Sequence, residues 1–353
     1  MSSLRKNFNL SGLLYFYIHF VTEVLSFYFL SSIVGDHWIL WLAPFIYDIL
    51  AFVPQLLIGT ISDRFPKIPF GIIGIGLLML GLSLTSLNIA LSTIILTIII
   101  ALGNACVHVN GAEVTLRSSQ GKIFPAALFV AGGSFGVVTG KLLVGIAQPW
   151  LLILLGATAI PVILVAEKYR IQADKTNIPC KEFKYADPKL ALLIIALLAG
   201  LVVAVRGYVG YGIPTSWNKS TIQTIMLFSF MGIGKALGGL LVDKIGIRKT
   251  AFLSMLAAIP FLIFGDQNMY ISLIGVMFFS MTMAITLAIL VSAFPESPGF
   301  AFGITTVGLA LGSLPVFLVR ISDVAINSIL LIVASLLCLF IILKITRKDK
   351  KHV

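Results

Sequence analysis

The side chains able to do chemistry in this chain sit where charge is costly, inside long apolar segments. Glu23 lies in a run from about residue 10 to 33, with His19 one helical turn before it. At helical spacing Tyr15, His19, Glu23 and Ser26 share one face. Asp48 falls in the next run, on a face with Trp41, Phe45 and Phe52. Asn104 and His108 stand four apart in a later one, and Arg206 and Lys235 each interrupt another. Ionisable groups at such depth face a cavity, pair, or stay neutral. A carboxyl group can hold a proton in one state and release it in another, and an imidazole one turn away can share it. Glu23, His19 and Asp48 are therefore the proton-coupling candidates. A structural hydrogen-bonded pair locking the first helix to a neighbour fits Glu23 and His19 as well.

Binding chemistry is open to a wider set. The planar fork of Arg206 suits carboxylate or phosphonate oxygens; a fixed partner for Glu23 or Asp48 is the other reading. Lys235, on a face with Thr224, Phe228 and Met231, is a second anion candidate. Asp48 and its rings could attract a lipophilic cation, or Asp48 could pair with a buried base. His108, Asn104 and Tyr15 complete the candidate substrate contacts, with interhelical hydrogen bonding as the plainer role for His108. Lys141 and Arg320 fall near helix ends, where snorkelling to the membrane surface explains them. No nucleophile–base pair and no Cys/His spacing of a metal or redox site stands out. The chain is not expected to be an enzyme or to need a cofactor.

The elements that must position these residues follow from composition. Hydrophobic residues make up 59% of 353 and charged residues only 11%, with a mean hydropathy of +1.06. A soluble chain carries roughly a quarter charged residues, so most of this surface faces lipid. Lipid leaves helices and closed barrels as the spanning structures, and runs of about 20 apolar residues without alternation specify helices. Twelve spans are predicted, at about 10–33, 38–60, 68–90, 91–112, 123–146, 148–166, 188–212, 219–242, 249–265, 269–294, 298–320 and 324–345. The first reads as a retained span rather than a cleaved signal. The long polar stretch at 167–187 divides them into a six-helix half at 1–166 and another, with a basic tail, at 188–353.

Charge then orients the chain. With both ends in the cytoplasm, 20 of the 25 Lys and Arg fall on that side, as the positive-inside rule asks. Trp38, Trp41, Trp150 and Trp217 all fall at predicted outer ends, where indoles settle at the interface. The net charge of +11 is thus topological, and nucleic acid has no place as a partner.

One pattern recurs at half the chain length. Gly59, Asp63, Arg64 and Lys67 follow the second span, and Gly239, Asp243, Lys244, Arg248 and Lys249 follow the eighth, 180 positions later. A glycine, three residues, an aspartate and a basic run at a helix turn resembles the signature of the major facilitator superfamily. That resemblance covers the whole chain and implies two six-helix lobes latched at the cytoplasmic side by these patches. Glu113 and Arg117, four apart, extend the charge network. Pro66 stands where the family pattern has glycine, so the first copy departs from it.

Three segments resemble the fosmidomycin-resistance branch more closely: His19, Phe20 and Glu23; His108 and Asn110 through Glu113 together with Leu128 to Gly140; and Arg206 to Pro214. That branch implies a proton-coupled efflux antiporter of a small organic solute. Lys141 replaces its usual proline, so its substrate does not carry over. The chain therefore reads as an all-helical plasma-membrane transporter, exporting a small organic anion or zwitterion against protons as a monomer. A multidrug exporter of lipophilic cations is the alternative, and a scaffold or receptor that has kept the fold is a third. The glycines at 132, 136 and 140 read as close helix packing.

Overall fold

The computed structural model describes residues 2–87, 92–175, 187, 190–217, 219–319 and 321–346, with side chains at 2–9 and 170–175 outside the description. All regular structure among them is helical: α1 (Ser2–Ser32), α2 (His37–Phe52), α3 (Pro54–Arg64), α4 (Phe70–Ser86), α5 (Thr93–Arg117), α6 (Phe124–Leu143), α7 (Pro149–Lys175), α8 (Leu192–Tyr211), α9 (Thr221–Ile245), α10 (Ile247–Phe264), α11 (Met269–Ser280), α12 (Thr282–Ala293), α13 (Pro298–Leu318) and α14 (Val324–Ile345). Eleven stretches, counting α2 with α3 and α11 with α12 as one each, are long and apolar enough to cross a bilayer, and α4 is a shorter apolar helix. This is a multi-pass membrane protein.

Two predicted spans are broken rods. Proline at 54 has no N–H to continue the ladder, so α2 gives way to α3 at Val53. The second break, at Met281, has no proline. There the carbonyls of Phe278 and Phe279 accept from the Met281 amide and also from inserted side chains: Ser254 Oγ donates to Phe278 O at 2.7 Å, and Arg206 Nε donates to Phe279 O at 3.1 Å. Side chains inserted into the carbonyl ladder are a standard cause of such breaks. The polar stretch predicted from Glu167 begins as helix, because α7 runs on to Lys175. The basic residues Lys181, Lys184, Lys189 and Arg320, Cys180 and the tail beyond Thr346 lie outside the described residues.

The closest helix pair is α1 with α6. A Cβ on Gly132 would strike the Phe16 carbonyl, on Gly136 the Phe20 carbonyl and Glu23 Cβ, and on Gly140 the Val24 carbonyl. The glycine face of α6 lies against α1, the close helix packing expected of it. Toward α9 the α6 surface is Ala127, Ala131 and Phe135, and the small residues are Gly232 and Gly239 of α9. Gly136→Ala is expected to cost about 1–3 kcal/mol, seen as a lower unfolding midpoint in detergent. Gly76→Ala, where a Cβ meets no atom within 4 Å, is expected to leave the midpoint unmoved.

Candidate functional site

Glu23 lies at the centre of a buried polar cluster built by α1, α2, α5 and α6. Its Oε1 stands 3.4 Å from His19 Nε2 and 3.4 Å from His108 Nε2. Asn104 Nδ2 donates to the same oxygen at 3.0 Å, and also to Tyr47 OH at 2.9 Å and Ser26 Oγ at 3.2 Å. The imidazoles meet edge to face, ring centres 4.3 Å apart, and His19 packs against Gly133, where a side chain would collide with its ring. Thus the predicted helical face of α1 does converge with Asn104 and His108. Tyr47, which no spacing pointed to, closes the cluster from α2.

Tyr15, expected among the substrate contacts, is fully buried below this cluster. Its hydroxyl donates to Asn110, whose Nδ2 donates to Glu167 Oε1 at 2.7 Å. That chain ties α1, α5 and α7 together.

Asp48 is joined to Ser313 of α13 by a hydrogen bond. Above it the rings of Trp38, Trp41 and Phe45 stack at 5.5 and 5.0 Å, and Trp41 Nε1 donates to Phe317 O at 3.2 Å. These contacts seat α2 on α13. Neither Glu23 nor Asp48 pairs with Arg206, contrary to one expectation for that residue. The guanidinium lies over the Phe279 ring, 4.8 Å from its centre, and no ion pair to it occurs among the described residues. Lys235 Nζ reaches across to α6 and donates to Ser134 Oγ at 2.9 Å. Lys141 is exposed, and its ammonium sits between the rings of Phe27 and Phe228, at 5.5 and 5.4 Å.

The two repeated patches make equivalent contacts. Asp63 accepts from the amides of Gly299 at 3.0 Å and Phe300 at 2.8 Å, at the start of α13. Asp243 accepts from Ile123 at 2.8 Å and Phe124 at 3.0 Å, at the start of α6. Neither α6 nor α13 has a capping side chain of its own. Each helix is capped by an aspartate distant in sequence, which satisfies its orphan amides and complements its dipole. Gly59 packs directly on the Gly299 backbone and Gly239 on Ala127. Arg117 ties the first patch together through Glu113 Oε1 at 2.9 Å and Asp63 Oδ1 at 3.2 Å, while Ser62 donates to Glu113.

The basic members of the patches behave differently from the aspartates. Arg64 turns outward over the Phe65 ring, and Lys244 is exposed. Arg248 donates to the carbonyls of Leu343 at 3.1 Å and Thr346 at 3.3 Å. It closes the C-terminus of α14 rather than a contact between repeats.

Two solved structures match this arrangement along nearly its whole length. A major facilitator superfamily transporter, FucP, in the outward conformation covers 97% of this chain with 99% of its own, at a TM-score of 0.63 and 13% identity. The fold is that of the major facilitator transporters. The human organic anion transporter MFSD10 (TETRAN) matches 95% of this chain with 97% of its own, at a TM-score of 0.61 and 13% identity. No family model and no curated protein matches the sequence. At such identity the likeness concerns the fold alone.

Proposed function

We propose that this protein is a proton-coupled secondary transporter that exchanges a small organic anion or zwitterion for protons by alternating access. Its twelve spans would form two halves, 1–166 and 188–353, joined through 167–187, with both termini cytoplasmic in the plasma membrane. The resemblance to the fosmidomycin-resistance branch favours efflux, and a monomer suffices. Asp63 and Asp243, with Gly59, Gly239, Glu113 and Arg117, would hold the cytoplasmic side shut and part when the halves rock.

The observation that carries the substrate class is the setting of Arg206. It lies at a broken helix with no carboxylate in ion-pair range among the described residues, while Lys235 nearby on α9 has only a serine hydroxyl as its hydrogen-bond partner. Interrupted helices near the middle of the membrane are where transporters of this kind bind substrate. Two cationic side chains without an acid ask for an anion. The cation-exporter reading rests on Asp48 and its stacked rings. It is weakened because Asp48 is engaged by Ser313 and Glu23 by two histidines and Asn104.

Arg206→Ala separates the two. Pooled small carboxylates and phosphonates, and separately pooled lipophilic cations, are tested for binding and flux in liposomes. Truncating one partner of a desolvated charge pair costs about 2–5 kcal/mol, so anion affinity is expected to fall about 30-fold or more. Cation handling is expected to stay unchanged. Undiminished anion flux in Arg206→Ala would contradict the proposal.

A further inference from the structure

The atoms around Glu23 are arranged for more than a proton. His19 Nδ1 lies 2.9 Å from Phe129 O, and His108 Nδ1 lies 3.0 Å from Asn104 O. A carbonyl oxygen only accepts, so each Nδ1 carries a hydrogen and each neutral ring presents its Nε2 lone pair. Both lone pairs aim at Glu23 Oε1, and the three atoms fall within 4.8 Å of one another. Three electron-rich atoms converging on one point repel each other unless a proton or a metal ion stands between them.

The spacing suits a metal ion. Ligands at about 2.0–2.1 Å from a tetrahedral centre stand about 3.3 Å apart; both histidine-to-carboxylate separations are 3.4 Å, and the two ring nitrogens, within 4.8 Å of each other, would close on an ion by a small turn of either ring. Holding a ring by Nδ1–H to a backbone carbonyl is also how proteins orient histidine toward a metal. Asn104 steadies the carboxylate in the same way. We propose that His19 Nε2, His108 Nε2 and Glu23 Oε1 form a binding site for one divalent first-row transition-metal cation of the Zn2+ class. Two imidazoles and a carboxylate select this class over Mg2+ or Ca2+, which prefer all-oxygen sites. Three protein ligands leave a fourth position open to water or an anion. Lys235 is a charge that opposes the ion, but its ammonium is turned to Ser134, whereas the three ligands bind directly.

This inference rests on ligand geometry and stands apart from proton movement, which is measured in metal-chelated vesicles. The test uses the full-length chain, purified without a histidine tag, in detergent. Co2+ is added to equilibrium and its visible spectrum read, followed by displacement with Zn2+. A single bound Co2+ with a tetrahedral spectrum, displaced by Zn2+, is expected. His108→Gln and Glu23→Gln are expected to weaken binding on the order of 100-fold, and His37→Gln, at the exposed start of α2, to leave it unchanged. Should those variants fail to fold, His108→Cys supplies a new ligand and should bind Co2+ with an altered spectrum. Only octahedral, weakly held Co2+ on the wild-type chain, or equal affinity in folded His108→Gln, would overturn the site.

Discussion

Arg117→Ala is expected to destabilise the protein by about 3–5 kcal/mol, the range for removing one partner of a buried ion pair. Glu113 is completely inaccessible to solvent, and Arg117 is one-fifth exposed at its side chain. Solvent screening therefore relieves little of the loss. The substitution removes charge-assisted bonds to Glu113 and to Asp63 together. Asp63 would still accept from the α13 amides, so the damage should centre on Glu113. Arg117→Lys keeps a charge but loses the fork that reaches both acids, and it should fall between alanine and wild type. Thermal unfolding in detergent reads all three. An unchanged midpoint for Arg117→Ala would mean that the carboxylates do not depend on this guanidinium.

Glu23→Gln is expected to bring substrate-driven proton movement down to the leak of protein-free vesicles. Glutamine nearly matches the shape of glutamate and can still accept from Asn104, so the cluster should keep its packing. It has no titrating proton. Binding of the substrate pool should survive, because Arg206 and Lys235 are not hydrogen-bonded to Glu23. A pH-sensitive dye inside the vesicles reports the flux, and an undiminished signal in the variant would remove Glu23 as the carrier.

How much of this was legible in the sequence depends on the kind of contact. Eleven of the span positions were, since lipid leaves an apolar mark of about 20 residues, while α4 is shorter than that. The end of α7 was not: hydropathy reports where the solvent changes, and a helix can run on into water. Pro54 could have marked the first break, whereas the break at Met281 arises from Ser254 and Arg206, distant in sequence, donating to its carbonyls. His19 and Glu23 were readable together because one helical turn joins them. That His108 would meet the same oxygen was not, because no spacing relates α1 to α5. Asp63 and Asp243 stood out as a repeat, yet their partners are backbone amides, which carry no letter in a sequence. Ser134 and Ser313 gave no signal, as serine is ordinary in a membrane helix. Tyr15 shared the right face but sits where α1, α5 and α7 are already packed.

The coupling of anion to proton is tested most directly with the wild-type chain in liposomes holding the pH dye, with membrane potential clamped and metals chelated. Pooled small organic anions are applied on one side, and the dye is followed against protein-free vesicles. The account predicts proton movement opposite to the anion, at a rate that saturates with anion concentration. Anion flux with no accompanying proton movement, or proton movement only with lipophilic cations, would contradict it.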